Sequence, residues 1–206
     1  MRTITIEKKL YKFNELSEKA KKQAMETRLE LENEVIGEYF KDIIADMLTN
    51  NDTGIEIDIN DVWYSVSYSQ GDGVSFVSND INMEKALEFF GKQSPKHAQY
   101  VEKVRNNKYY QDVKLDYEFY IRRINSHYTH ANTVDCDFND TSGEWVEGVW
   151  QLAEIISNII NEVKNILCGE IYQELMDTDR YMSSEEYLTE LLESENNEYT
   201  SDGAIY

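Results

Sequence analysis

The chain has 206 residues, 41% of them hydrophobic, and a formal charge of −20 at neutral pH. That length buries one good core or two small ones. Its 15 tyrosines, 7 phenylalanines and 3 tryptophans exclude global disorder, because disordered acidic chains lack the apolar area that offsets chain entropy.

The charge is uneven. Residues 1–48 carry −1, residues 49–130 carry −3, and residues 131–206 carry −16, from 18 Asp/Glu against 2 Lys/Arg. Such a field repels nucleic acid and anionic membranes and attracts basic surfaces, so direct nucleic-acid binding is excluded as an expectation. The N-terminus alternates polar and apolar residues and lacks the apolar stretch of a signal peptide. The longest apolar-rich segment, 149–167, is interrupted by Gln151, Glu154, Ser157, Asn158, Asn161, Glu162, Lys164 and Asn165, so no membrane span is expected. Cys136 and Cys168 have no metal-type spacing and suit a reducing compartment, which points to a cytoplasmic protein.

In chain order, residues 3–11 read as a strand and 13–17 as a turn into a helix capped by Ser17. That helix continues over 21–31 with Ala20, Ala24 and Leu31 facing inward. A second helix over 35–48 carries a broad apolar stripe of Val35, Tyr39, Ile43 and Met47 joined by Phe40, Ile44 and Leu48, and 50–54 ends it. Ile55, Ile57 and Ile59 alternate with polar residues as a half-buried strand does. Segments 63–69 and 74–78 flank Gln70-Gly71-Asp72-Gly73 as a hairpin whose glycines supply positive φ. Helices are expected over 82–90 and, after Pro95, over 96–105. A long strand over 114–129 turns at 130–132 into a partner over 133–138. From 144 to about 178 the period becomes 3.6, with Val149, Leu152, Ile156, Ile159, Val163, Ile166 and Leu167 on one side and Glu147, Glu154 and Glu162 on the other. A last helix over 184–193 is capped by Ser183 or Ser184.

The fold class expected is α+β: a mixed or antiparallel sheet of five or six strands with helices packed on it and a long amphipathic acidic C-terminal helix. The corresponding division is a core over 1–143, acidic helices over 144–195 and a flexible tail over 196–206.

Several constellations invite a chemical reading. His127 and His130 lie near Asp135, Cys136 and Asp137 across the expected hairpin, a set from which a metal-dependent hydrolase can be built. On a strand, however, a separation of three points the two histidines to opposite faces. Asp135 and Asp137 share a face, but nothing nominates a nucleophile. Cys136 between two aspartates has a raised pKa and is a poor nucleophile. The glycines of 70–73 are explained by a turn without a phosphate, since no lysine-bearing helix follows. Residues 50–60 lack the carboxylates of a calcium loop at its first and last positions. Lys19, Lys21, Lys22 and Arg28, and the pair Arg122-Arg123, read as solvated faces. No catalytic residue, metal or cofactor is assigned, and the chain is read as a non-enzyme.

The acidic face is what remains. Glu147, Glu154 and Glu162 are about 10 to 12 Å apart along a helix, too sparse to imitate a duplex with one charge per ~1.7 Å of axis. Adding Glu170, Glu174, Asp177, Glu185, Glu186, Glu190 and Glu193 raises the density, with Tyr172 and Tyr181 as aromatic anchors.

The opening Tyr11-Lys12-Phe13-Asn14-Glu15-Leu16-Ser17-Glu18-Lys19-Ala20-Lys21-Lys22-Gln23-Ala24 and the hairpin Ser65-Val66-Ser67-Tyr68-Ser69-Gln70-Gly71-Asp72-Gly73-Val74-Ser75-Phe76 resemble a loose group of small phage and prophage proteins. In character the chain is similar to acidic phage inhibitors of host defence, among them anti-CRISPR and anti-restriction proteins. The resemblance implies a phage-encoded protein in a host cytoplasm whose partner is a Cas effector or restriction enzyme with a basic nucleic-acid channel. The alternative is a small metal-dependent hydrolase using Asp135, Asp137, His127 and His130, and a third reading has the 149–167 stripe mediating self-association.

Overall fold

The computed structural model describes residues 7–206. The strand expected over 3–11 falls, for residues 3–6, outside the described residues; of its remainder only Tyr11 is paired, in an isolated bridge with Tyr199. The described chain runs α1 (Glu18–Thr49), β1 (Ile55–Glu56), β2 (Val62–Ser65), β3 (Gly73–Phe76), β4 (Asp80–Ile81), α2 (Met83–Lys92), α3 (Pro95–Arg105), α4 (Tyr110–Asp116), β5 (Tyr117–Arg123), β6 (Val134–Asp140), α5 (Glu147–Met182) and α6 (Glu185–Ser194). The class is α+β. Among the described residues no helix is long and apolar enough to cross a membrane.

The sheet is smaller than expected. The six strands form three separate two-stranded antiparallel ladders, β1 with β4, β2 with β3 and β5 with β6, rather than one sheet of five or six. Ser78 shows why the ladders do not merge. Its backbone exchanges two hydrogen bonds with Ile121 of β5, at 3.1 and 2.7 Å, while its hydroxyl donates to the carbonyl of Glu56 at 2.6 Å and accepts from the N–H of Asp80 at 3.2 Å. One side chain thus takes over bonds that a continuous ladder would make.

Two compact units result, one comprising the chain to Phe40 together with Met176–Tyr206, the other Lys41–Leu175. This differs from the expected division at 143/144. The acidic last third is split evenly: residues 131–175 and 176–206 each carry −8.

In the first unit Ser17 caps α1 as expected, accepting from the N–H of Ala20 at 3.3 Å. No proline or glycine separates 31 from 35, so the two helices expected there are one. Leu31, Val35 and Tyr39, expected inside, are exposed. The inward row is shifted by one residue, to the buried Glu32, half-buried Ile36 and buried Phe40, because a charged residue occupies an inward position that an apolar period skips. Phe13, Leu16, Ala20 and Ala24 form a core with Leu192 and Tyr199. The segment 196–206, expected as a flexible tail, is held there. Tyr199 is fully buried and exchanges two 2.9 Å backbone hydrogen bonds with Tyr11, and Gly203 at φ +93° lies so close to the carbonyl of Ala20 that a Cβ would meet its oxygen at 2.2 Å.

In the second unit Ile44, Phe76, Leu87, Val113, Ile121, Ile156 and Ile160 are fully buried or nearly so. Asn82 and Ser94 cap α2 and α3, and Pro95 takes the first turn of α3. Residues 110–116 are helical rather than the start of a long strand: Tyr110 and Val113 are buried at a spacing of three, whereas Leu115 is 76% exposed. The apolar row of α5 is buried from Val149 through Ile171 and Leu175, as its period requires, and Ile166 alone of the expected set is only half-buried. That burial leaves no free stripe for self-association.

Candidate interaction surface

The carboxylates expected to meet a partner are exposed: Glu147, Glu154, Glu162, Glu170 and Glu174 on the part of α5 in the second unit, and Asp177, Glu185, Glu186, Glu190 and Glu193 in the first. Tyr172 is half-buried and Tyr181 is 55% exposed. On α5 they do not make one stripe. At about 100° per residue, Glu162 lies about 60° from Glu147, and Glu170 and Glu174 lie about 140° and 180° from it, because intervals of seven and eight residues drift round a 3.6-residue helix.

On α6 the spacing is different. Glu186, Glu190 and Glu193 stand four and three residues apart, so they share one face within about 60° and span about 10.5 Å. That is about 5 Å per charge, near the ~3.4 Å per charge of a single nucleic-acid strand. Among the described residues none of the three enters a salt bridge within 4.0 Å. Ser184 caps this helix by accepting from the N–H of Tyr187 at 3.2 Å, which fixes where the stripe begins. Tyr187 stacks at a tilt on Tyr181, ring centroids 5.1 Å apart, and its hydroxyl donates to buried Glu32 at 3.4 Å. The exposed Tyr181 is therefore braced against Tyr187, the residue after Glu186.

The residues of the hydrolase alternative are dispersed into other tasks. His127 and His130 are not on a strand; β5 ends at Arg123, and both lie in the loop that follows. They flank the ring of Tyr128, at 4.6 and 5.8 Å between centroids. Arg123, its guanidinium 4.3 Å over the ring of Trp63, holds that loop by donating to the carbonyls of Asn125, Ser126 and Tyr128. Asp137 pairs with Arg122 at 3.0 Å, and Asp135 accepts from the side chain of Asn161. Among the described residues no three His, Cys, Asp or Glu side chains are grouped to hold a metal ion. Cys136 is pushed up to about 12, first by burial and only secondarily by Asp135 and Asp137, so the expected cause of its inertness was the lesser one. Cys168 is likewise pushed up to about 12 by burial.

The glycine-rich hairpin has an organiser that its sequence did not reveal. Asp72 accepts from the hydroxyls of Ser65, Ser67 and Ser69 at 2.7, 2.8 and 3.0 Å and from the N–H of Ser69 at 2.7 Å. Partial burial raises its pKa, but these donors together outweigh that and bring it down to about 2. Gly73 has φ +147°, as a turn glycine should, yet Gly71 does not have positive φ. Its hydrogen is required because a Cβ would stand 2.4 Å from the ring of Tyr128. The three serines, each two residues from the next, were the legible signal.

Set against known proteins, residues 34–185 match a family described as a domain of unknown function, DUF8835. No significant match is found among curated proteins or solved structures. The matched segment takes in the whole of the second unit and stops at the first residue of α6; spanning well over half of the sequence, it establishes that the chain belongs to the DUF8835 family.

Proposed function

We propose that this is a non-enzymatic, phage-type binding protein that inhibits a host nucleic-acid-handling defence enzyme, a CRISPR effector or restriction enzyme, by occupying a Lys/Arg-lined channel with its acidic C-terminal helices. The observation that supports this best is the Glu186, Glu190 and Glu193 stripe: exposed, in register on one face and unmatched by salt bridges among the described residues, with the exposed Tyr181 stacked on Tyr187, the residue after Glu186. Charges so spaced steer a basic surface toward the helix, and a desolvated tyrosine supplies residence time. The stripe lies beyond the end of the DUF8835 match, so this activity is assigned to the present chain and not to the family.

The test is a DNA-cleavage assay with a CRISPR effector or restriction enzyme of the host, titrated with wild-type protein and with Glu186→Lys/Glu190→Lys/Glu193→Lys. The wild type is expected to inhibit with a steep loss of potency on added salt, and the triple variant to be inert while unfolding at the same temperature. Inhibition that survives the triple reversal at physiological salt sinks the proposal.

A further inference from the structure

The same unit carries a second feature, which rests on the reading just given and extends it to how a partner is held. Between the first turns of α1 and the start of α6 runs a groove of about 350 Å³. Glu18, Lys22, Met25, Glu26 and Leu29 border it from α1 and Ser183, Glu185 and Leu188 from the α6 side. The α1 set recurs at helical intervals and so presents one face. Its floor is apolar: Leu188 is buried, and Met25 and Leu29 are half-buried, with Met25 fixed by a 3.8 Å contact from the hydroxyl of Thr189 to its sulfur. Its rim carries three carboxylates, Glu18, Glu26 and Glu185, against the single cation Lys22. Glu18 pairs with Lys21 at 3.2 Å with its side chain 91% exposed, Glu26 meets Lys22 at the 4.0 Å limit, and Glu185 makes no salt bridge among those of the described residues.

An apolar floor ringed by under-neutralised carboxylates selects one kind of occupant. A neutral hydrophobic segment would bury the rim charges without compensation, and a purely basic one would leave Met25 and Leu29 facing water. A segment that alternates Lys or Arg with leucine-like side chains satisfies both, in the helix-in-groove mode, and methionine adapts its shape to such a guest. We infer that the α1–α6 groove is a docking site for a basic amphipathic helix of the partner protein, placed so that the α6 stripe steers and the groove retains.

The probe is the labelled peptide KLLKKLLKKLLKKL, followed by fluorescence anisotropy at about 0.15 M salt, with oligolysine of equal length and the Lys-to-Gln version of the peptide as comparisons. The amphipathic basic peptide is expected to bind at least about tenfold more tightly than either. Met25→Lys should weaken it by about tenfold, and Glu26→Lys, on the exposed rim, should do so without touching the floor, which covers the case that Met25→Lys unfolds the unit. Oligolysine binding as tightly as the amphipathic peptide, or equal affinity for wild type and Glu26→Lys, overturns the docking site while leaving the stripe's inhibition standing. Loss of inhibition in the groove variants with the stripe intact, or the reverse, tells the two apart.

Discussion

In the unit built on α1 and α6, the buried polar side chain is Glu32, and a charge answers it: Arg28 reaches Glu32 at 2.8 Å and Glu195 at 2.9 Å, with the Glu32 side chain only 6% exposed. In the unit built on β5, β6 and α5, the buried polar side chains that α5 carries are Ser157 and Lys164, half-buried Asn161 lies between them, and the backbone of β6 answers all three. Ser157 donates to the carbonyl of Cys136 at 2.8 Å, Asn161 accepts from the N–H of Cys136 at 2.9 Å, and Lys164 donates to the carbonyl of Val134 at 2.7 Å. These residues recur at four and three along one face of α5, so the helix supplies the bonds that the outer edge of β6 would otherwise offer to another strand. Burial lowers the pKa of Lys164, outweighing the opposite pull of Asp135 and Glu162. In the first unit the buried charge is met by another side chain, whereas in the second the open edge of β6 supplies the backbone groups.

The contrast predicts unequal costs. Arg28→Met leaves Glu32 buried without its partner and is expected to destabilise the first unit by about 3 to 5 kcal/mol. Urea unfolding followed by circular dichroism reads the loss, and Arg28→Met with Glu32→Met should recover most of it. A loss below about 1 kcal/mol, the worth of an exposed pair, would mean that Glu32 is hydrated. Asn161→Leu orphans one N–H on β6 and removes the partner of exposed Asp135, so about 2 kcal/mol is expected, with faster amide exchange concentrated at Cys136.

Much of this was legible in the sequence, and what was missed has a physical pattern. The helices over 82–90, 96–105, 144–178 and 184–193 emerge within a few residues because capping side chains and the 3.6 period mark them. Ser157, Asn161 and Lys164 were read only as interruptions that exclude a membrane span, since their role depends on a strand edge that no local pattern places beside α5. Glu32 displaced the inward row of α1 by one residue: its ion-pair partner Arg28 stands four residues before it, but the Tyr187 hydroxyl that also reaches it, and the Glu195 that shares Arg28, come from more than 150 residues away. The acidic set was found residue by residue, but only the angular arithmetic of α5 and α6 separates the scattered carboxylates from the aligned ones.

The mildest and most local effect belongs to Asp72, which shares features of both units: it is a charge, yet neutral hydroxyls and a backbone N–H answer it. Its folded pKa of about 2 lies below the ordinary 3.8, so the carboxylate's contribution is complete above about pH 4 and is lost as pH falls toward 2. Asp72→Asn removes the charged acceptor at every pH and is expected to cost about 1 kcal/mol, because the loop is partly solvated and serine hydroxyls turn readily to water. The sharper readout is order within 65–73. Amide exchange and the ring signals of Tyr128, which lies against Gly71, should loosen in the variant at neutral pH and in the wild type only below about pH 3. A wild-type loop that stayed unchanged to pH 2 while the variant loosened would show that the hydroxyls hold Asp72 equally well when it is protonated, and that in this hairpin geometry rather than charge does the organising.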